Sequence, residues 1–269
     1  MKRFCMVLAA LFVAAHAYAK PLDSGDLVTF PTRAGVTQGL FIDSPSPDPP
    51  LVVILYSGNN GLLALDSTGA THWRGNFMIR TADYWINKGY AVVLVDAPSD
   101  RQADGMDDYY RRSVDALTDQ RLIVEQVRKR FPNSKIALVS TSRGTVTVGN
   151  VLEHVPTLAD LYVLTSPESV AKRHPGIADL DVDTNYAARA LIVSNRHDVC
   201  PVSDFAGGKY LAEHNRLSFI AEDSNEGGGD LLANCGGQSP HGFLGIERKT
   251  LDDINGWIRQ KLAATATSQ

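Results

Sequence analysis

The sequence predicts an α/β protein with a mostly parallel, doubly wound sheet and helices on both faces. Apolar runs of strand length recur along the chain, and they are continuous rather than alternating. Continuous runs are typical of parallel strands that are covered on both faces. Segments with helical periodicity separate these runs, and no internal repeat or domain linker interrupts the order. We therefore expect residues 20–269 to form one domain.

Composition limits the classes of function. The chain has 269 residues, of which 44% are hydrophobic and 21% are charged, as in ordinary globular proteins. Its formal net charge is −4 and its pI is about 6.0, and no basic cluster is conspicuous. The sequence therefore does not predict nucleic-acid binding.

The N-terminus has the pattern of a secretory signal peptide. A basic start, Met1-Lys2-Arg3, precedes a short apolar run and the sequence Ala17-Tyr18-Ala19. This pattern predicts cleavage after Ala19 and a periplasmic or secreted protein. A retained N-terminal anchor is the alternative. The apolar run is shorter than the roughly 20 residues of a membrane-spanning helix, so we expect no stable membrane insertion after cleavage.

The first half of the chain alternates strands and helices. Two strand-like pieces near the start are expected to form an antiparallel hairpin at the sheet edge, and a proline-rich loop follows them. Helix-stop signals at Gly89 and Pro132 bound two helices. The predicted elements are strands at 27–30, 39–43, 51–56 and 90–95, and helices at 76–88 and 113–130.

The second half continues the alternation. The predicted strands are at 136–140, 158–164, 188–193 and 217–221. One predicted helix begins at Thr145, and two more lie at 203–214 and 246–262. An irregular segment is expected at 169–187 and a glycine-rich loop at 223–237. The span between Ser142 and Asp198 holds only a helix, two strands and a short connection. We therefore expect no large lid domain.

A candidate nucleophile lies between a predicted strand and a predicted helix. Residues 140–144 read Ser-Thr-Ser-Arg-Gly, the pattern small-x-Ser-x-Gly. A strand turns into a helix over so few residues only if the turning residue adopts a strained backbone conformation, which small neighbours permit. The turn lifts the Ser142 hydroxyl clear of the sheet edge, so Ser142 is the predicted nucleophile.

An acid and a histidine follow Ser142 in the order needed to activate it. Asp198 comes directly after a predicted strand, and His241 lies in the last loop before the final helix. Reactive groups of an open parallel sheet gather at the carboxyl ends of its strands. A histidine would take the serine proton, and a carboxylate on its other ring nitrogen would orient it. Glu168, at the end of the preceding strand, is the alternative acid.

The oxyanion of an acyl-transfer reaction needs two preorganised N–H donors. One is expected to be the backbone N–H of Arg143, directly after the nucleophile. The other is expected from the loop at residues 57–61, where glycine lets the backbone approach the substrate. Asn59 is the first candidate in this loop and Asn60 the second; an ordinary Asn/Gly turn is the alternative.

Two cysteines, Cys200 and Cys235, remain after the predicted signal peptide. An even pair in an exported protein predicts a disulfide, although two unpaired buried thiols are possible. Cys200 lies two residues after Asp198, and Cys235 lies six before His241. A bridge would therefore tie the acid loop to the histidine loop.

At these residues the chain resembles exported bacterial α/β-hydrolases, broadly the dienelactone hydrolase-like and esterase-like members. The resemblance implies the α/β-hydrolase fold and a serine hydrolase that cleaves a carboxylic ester through an acyl-serine intermediate. It also implies no metal or organic cofactor. Because no lid domain is expected, the pocket should be open, which favours a small-molecule or polymer-end ester as substrate. Two positions depart from the family pattern. Ser140 stands where the family has the first glycine of its Gly-x-Ser-x-Gly turn, and Ser57-Gly58 replaces the usual His-Gly of the loop that supplies an oxyanion donor.

The same residues also fit other functions. A peptidase or amidase of the same fold would use the same chemistry, and a non-catalytic binding protein of this fold is a further possibility. His72 and His197 are additional pocket candidates, and segments 99–112 and 169–187 could cover the site. The acids in the first of these segments are expected on a solvated face, with a cation-binding patch as the alternative: Asp104, Asp107 and Asp108.

Overall fold

A computed structural model describes residues 20–172 and 174–266. The predicted signal peptide, residues 1–19, lies outside the described residues. The described strands, in chain order, are β1 (Asp26–Arg33), β2 (Val36–Asp43), β3 (Leu51–Tyr56), β4 (Leu65–Asp66), β5 (Gly69–Ala70), β6 (Ala91–Val95), β7 (Lys135–Thr141), β8 (Leu161–Thr165), β9 (Ala190–Asn195) and β10 (Ser218–Glu222).

Eight of these strands form one sheet in the order β1-β2-β6-β3-β7-β8-β9-β10. The β1–β2 and β2–β6 pairs are antiparallel, and the other neighbours are parallel. The predicted hairpin therefore lies at the sheet edge, and the parallel part begins at β6. The strands β4 and β5 form a separate antiparallel pair that the sequence did not predict.

The described helices lie on both faces of the sheet. They are α1 (Phe77–Arg80), α2 (Asp83–Asn87), α3 (Asp108–Arg111), α4 (Val114–Arg130), α5 (Gly144–His154), α6 (Thr184–Ala187), α7 (Phe205–His214), α8 (Leu231–Asn234) and α9 (Glu247–Ala266). Short 3₁₀ turns occur at Ser99–Arg101 and Pro240–Gly242. Among the described residues, no helix is both long enough and apolar enough to cross a membrane.

The core has two layers, one on each side of the sheet. Successive strand side chains point to opposite faces, so Val52 and Ile54 pack with α4, α5 and α7, whereas Val53 and Leu55 pack with α1, α2 and α9. Every residue of β3 is buried. This burial on both faces is why the strand appears in the sequence as a continuous apolar run, and it confirms the predicted fold class.

The region predicted as one helix over 76–88 forms two helices, α1 and α2, so the prediction of a continuous helix was wrong. The Thr81 hydroxyl donates a 2.6 Å hydrogen bond to the Phe77 carbonyl at the end of α1. The backbone N–H of Asp83 donates to the carbonyl of Lys20, at 3.0 Å, rather than to the preceding turn. The helical ladder therefore stops and restarts because the chain near Lys20 supplies a competing acceptor.

Two further differences involve loops. The strand predicted over 158–164 begins only at Leu161, because Asp160 bends the chain: its backbone N–H donates to the Ile136 carbonyl, and its carboxylate accepts the Ile136 N–H. The glycine-rich loop 223–237 contains α8, which Asp230 caps by accepting two backbone N–H bonds. A helix this short leaves too little periodicity to predict it.

Candidate active site

Ser142 lies at the sharp turn between β7 and α5. Its φ of 53° is in the left-handed region, which costs energy for a residue with a side chain. A Cβ on Gly144 would lie 2.5 Å from the Tyr56 carbonyl oxygen and 2.6 Å from that of Ser57. The glycine is therefore required because the start of α5 touches the backbone at the end of β3.

Ser140 stands where the family pattern has its first glycine, and the structure explains why a serine fits. The residue is fully buried, and its hydroxyl donates a 3.0 Å hydrogen bond to the Val163 carbonyl of β8. A buried hydroxyl with a partner carries no desolvation penalty for a missing bond. The position accepts a small polar side chain because the neighbouring strand supplies an acceptor.

Asp198 and His241 form a buried pair. Asp198 Oδ2 lies 2.8 Å from His241 Nδ1, and the two side chains are 0% and 4% exposed. Asp198 lies in the turn after β9. The alternative acid, Glu168, is elsewhere: its Oε2 lies 3.6 Å from Arg143 Nε. The carboxylate beside the histidine is therefore Asp198, which can hold the imidazole in one tautomer.

The free nitrogen of His241 and the nucleophile share one cleft. Ser142 and His241 both line a cavity of about 210 Å³. His241 Nε2 is buried and has no hydrogen-bond partner among the described residues. Contacts between a catalytic base and its nucleophile are often loose without substrate and tighten when it binds. The arrangement therefore leaves Nε2 available to a proton donor in this cleft.

Three side chains hold the turn Pro240–Gly242 that carries the histidine. Asn195 Nδ2 donates to the carbonyl of its first residue at 3.0 Å, and Ser166 Oγ donates to that of its second residue at 2.8 Å. Arg80 Nη2 donates to the carbonyl of the third residue at 2.7 Å. Three consecutive carbonyls are thus bound by three different parts of the fold, which restricts the backbone of His241.

The predicted oxyanion loop lies beside the nucleophile. Asn59 lines the same cleft as Ser142 and has a left-handed backbone, with φ of 55°. A Cβ on Gly58 would lie 2.8 Å from Ser142 Cβ, so only glycine permits this approach. The backbone N–H of Arg143 lies at the N-terminus of α5, where N–H groups lack intrahelical acceptors.

The side chain of Asn60, the second candidate for the oxyanion donor, makes its hydrogen bonds to the loop and to neighbouring segments. Its Oδ1 accepts hydrogen bonds from Trp73 Nε1 at 3.0 Å and from the Leu62 N–H at 3.3 Å. Its Nδ2 donates to the Asp104 carbonyl at 3.1 Å. The side chain is therefore used to fix neighbouring segments, and Asn60 is absent from the cleft lining.

Two buried carboxylates, those of Asp108 and Glu168, lie beside the Arg143 side chain. Asp108 Oδ1 lies 2.9 Å from Arg143 Nε, and Asp108 Oδ2 accepts the Gly176 N–H at 3.0 Å. Asp108 is fully buried, so placing it on a solvated face was wrong; Asp104 and Asp107 are exposed. Burial, and then the charge of Asp108, raise the pKa of Glu168. Sequence reasoning missed this group because an acid in a polar segment ordinarily indicates the surface.

The structure contains a disulfide between Cys200 and Cys235, as the sequence predicted. Cys200 is buried in the turn that carries Asp198, and Cys235 lines the cleft. The bond therefore joins the acid turn to a wall of the cleft. Among the described residues, no group of three or more His, Cys, Asp or Glu side chains is placed to hold a metal ion.

Two segments supply most of the cleft walls, at residues 73–77 and 235–238. Segments 99–112 and 169–187, which were expected as possible covers of the site, do not contribute to this lining. His72 and His197, the additional pocket candidates, do not contribute to it either. His197 is about half exposed, and its Nε2 lies 3.0 Å from Asp223 Oδ1.

No protein-family model matches the sequence, and no curated protein matches it. Solved structures are similar in fold. The Pyrococcus furiosus esterase Pf2001 has a TM-score of 0.61 at 14% identity, over 88% of this chain and 90% of that one. An α/β serine hydrolase homologue from Coxiella burnetii has a TM-score of 0.53 at 13% identity, over 75% of this chain and 87% of that one.

The chain has the α/β-hydrolase fold. A third similar structure is Porphyromonas gingivalis dipeptidyl peptidase 4, with a TM-score of 0.50 and 16% identity. It matches over 75% of this chain and 32% of the longer peptidase. Identities this low establish the architecture alone, and the same architecture serves both esterases and peptidases.

Proposed function

We propose that the protein is a serine hydrolase that cleaves a carboxylic ester through an acyl-enzyme intermediate, with Ser142, His241 and Asp198 as its triad. The observation that carries this proposal is the buried Asp198–His241 pair at 2.8 Å, whose free Nε2 shares a cleft with the strained Ser142. The similarity in fold to an esterase and to a serine hydrolase homologue supports it.

The reaction has two steps. His241 Nε2 takes the proton of the Ser142 hydroxyl as Oγ attacks the ester carbonyl, and Asp198 stabilises the resulting imidazolium. The imidazolium then gives that proton to the departing alcohol, leaving an acyl-serine. A water molecule loses a proton to His241 and attacks the acyl carbon, and the proton returns to Ser142 as the carboxylic acid leaves.

The tetrahedral intermediates carry a negative oxygen that requires donors. In this proposal the backbone N–H groups of Asn59 and Arg143 supply them. Asn59, in the loop 57–61, lines the cleft that contains Ser142, and Arg143 directly follows Ser142 at the start of α5. Such donors stabilise charge best when the fold holds them in place before the reaction.

The size of the cleft favours a small acyl group. Its volume of about 210 Å³ is below the roughly 300–1,000 Å³ of pockets that enclose drug-sized ligands. We infer that the substrate is a small ester, or the ester at the end of a polymer whose remainder stays outside.

The disulfide supports an exported protein. Disulfides persist in oxidising compartments and are rare in the cytosol. Together with the N-terminal pattern of residues 1–19, the Cys200–Cys235 bond supports a periplasmic or secreted location.

The test is hydrolysis of p-nitrophenyl acetate and butyrate by the protein and by two variants, Ser142→Ala and His241→Ala. We expect both variants to lose about three or more orders of magnitude in kcat. His197→Ala is the matched control, because it removes a histidine outside the cleft. Labelling of Ser142 by a fluorophosphonate would locate the nucleophile.

Other outcomes would support other functions. Faster cleavage of aminoacyl-anilides than of esters would indicate a peptidase or amidase, as in the fold relative named a dipeptidyl peptidase. An inert protein that takes up no fluorophosphonate would contradict catalysis by the triad and favour a binding protein.

A further inference from the structure

We propose that Arg111 is a positioning residue that holds the oxyanion loop, residues 57–61, against the nucleophile helix α5. This inference rests on the proposed function, because it assigns a purpose to a loop that would bind the oxyanion. Arg111 ends the short helix α3 and lies in neither the triad nor the lining of the cleft.

The guanidinium connects three segments. Nη2 donates to the Asn59 carbonyl at 3.3 Å, and Nη1 donates to the Thr147 hydroxyl of α5 at 2.8 Å. Nε donates to the carbonyl of Met106 at 3.3 Å. Because the guanidinium is planar and rigid, these bonds fix the distance between the loop and the helix.

The burial of Arg111 is unusual for an arginine. Its side chain is among the largest that are fully buried, at 1% exposure. Burial, and then the charge of Arg143, lower the pKa of Arg111 to about 10, so it remains charged at neutral pH. The charges of Asp108 and Glu168, two carboxylates that lie beside Arg143, act in the opposite direction and raise the pKa of Arg111. A buried charge is costly unless hydrogen bonds or opposite charges compensate for its lost hydration, and the three hydrogen bonds of the guanidinium do so here.

The loop is shaped to fit this arginine. A Cβ on Gly61 would lie 2.6 Å from Arg111 Nη2 and 2.5 Å from Met106 Cε. A Cβ on Gly105 would lie 2.5 Å from that of Asn60, whose carbonyl accepts the Met106 N–H at 2.7 Å. The two segments therefore interlock at glycine positions on both sides.

The restraint matters because the loop is strained. Asn59 has a left-handed backbone that a residue with a side chain adopts at a cost, and such a conformation persists only where its surroundings enforce it. Arg111 binds the carbonyl of this residue. Its loss should let the φ and ψ angles of Asn59 relax from the left-handed region, and this relaxation should displace the Asn59 N–H from the position of the oxyanion.

The experiment compares Arg111→Lys and Arg111→Met with the unmodified protein. Lysine keeps the charge but loses the planar fork, and methionine loses both. We expect kcat for p-nitrophenyl acetate to fall by about 10²–10³, the effect of losing one oxyanion donor, while KM changes less than about threefold. The Ki of a boronic acid that mimics the tetrahedral intermediate should rise in proportion to the loss in kcat/KM.

Two matched variants separate positioning from stability. Arg33→Met removes another largely buried arginine, which pairs with Asp119 and Asp100 and does not touch the loop, so it should destabilise the protein and leave kcat unchanged. Thr147→Val removes only the acceptor on α5 and should lower kcat by about tenfold. This variant and Arg111→Lys carry the test if Arg111→Met does not fold.

The outcomes distinguish this inference from the proposed function. If the unmodified protein hydrolyses esters and the folded Arg111 variants keep its kcat and its Ki for the boronic acid, the positioning role is overturned and the function stands. If the unmodified protein neither hydrolyses esters nor reacts with a fluorophosphonate, the proposed function fails, and the role of Arg111 fails with it.

Discussion

The backbone N–H of Cys200 donates a 2.9 Å hydrogen bond to Asp198 Oδ1, while Oδ2 of the same carboxylate faces His241. One carboxylate is therefore fixed by its own turn and also orients the histidine. The same cysteine is covalently bound to Cys235 in the cleft wall. Movement of that wall would be transmitted to the acid through two residues.

Removal of the disulfide should affect both stability and turnover. Replacing Cys200 and Cys235 by serine is expected to lower the free energy of unfolding by about 3–4 kcal/mol, because a closed loop of this length restricts the unfolded chain. We also expect kcat to fall at temperatures where the variant is still folded, since the acid turn loses its tie. Urea unfolding and ester hydrolysis measure the two effects.

Dithiothreitol provides the control for that prediction. It should lower the activity of the unmodified protein and leave the serine variant unchanged. Equal sensitivity of both proteins would show that the effect does not come from the disulfide.

Asp198→Asn should impair catalysis without disrupting the fold. The amide can no longer stabilise the imidazolium, and it favours the wrong tautomer of His241, so kcat is expected to fall by about 10⁴. Glu168→Gln tests the alternative acid and should change kcat by less than about tenfold, because Glu168 lies beside Arg143. A larger loss for Glu168→Gln than for Asp198→Asn would reverse the assignment.

Two glycine-to-alanine substitutions should change stability in opposite directions. The Cβ of Gly144→Ala would press on the carbonyl oxygens of Tyr56 and Ser57, so we expect a loss of about 1–3 kcal/mol. Gly256 lies in α9 with open space around it, and Gly256→Ala should raise stability by about 0.5–1 kcal/mol. Thermal unfolding of both variants checks the sign.

The central parallel strands could be predicted because burial on both faces produces a continuous apolar run in the sequence. The bounds of β3 agree with the predicted strand at 51–56, and β6 differs from its prediction by one residue. The rule that reactive groups gather at the carboxyl ends of parallel strands predicted that Ser142, Asp198 and His241 lie at one edge of the sheet, and the structure places their loops there. Positions at the ends of strands follow from topology, so a sequence can indicate them.

The side chains that hold the histidine turn and the oxyanion loop in place could not be predicted in this way. Asn195 and Ser166 are single polar residues at strand ends, and Arg80 lies on a short helix without a distinctive pattern. Each binds a carbonyl far away in the chain, and no local signal records such a partner. Arg111 likewise belongs to a polar segment whose other residues are largely exposed.

Glu168 should make stability depend on pH. Burial, and then Asp108, raise its pKa in the folded protein above the ordinary value of 4.5 that holds in the unfolded chain. The folded state therefore keeps this proton longer, so its stability falls as pH rises from 4.5 through the raised pKa, and the cost persists above it. Glu168→Gln should accordingly gain stability relative to the unmodified protein across this window.

Chemical denaturation at a series of pH values measures that difference. Glu125→Gln, which removes a surface carboxylate paired with Lys129 on α4, accounts for the general effect of losing a negative charge. A stability difference for Glu168→Gln that stays constant with pH would contradict the expected titration.

The hydrogen bonds that hold the turn Pro240–Gly242 also determine when a folding chain becomes active. Arg80 and the carbonyl that it binds are 162 positions apart, and Asn195 and Ser166 come from the ends of two further strands. The imidazole can take its orientation only after these distant segments have assembled. A collapsed intermediate would be catalytically silent, and the recovery of ester turnover during refolding would report completion of the sheet rather than compaction of the chain.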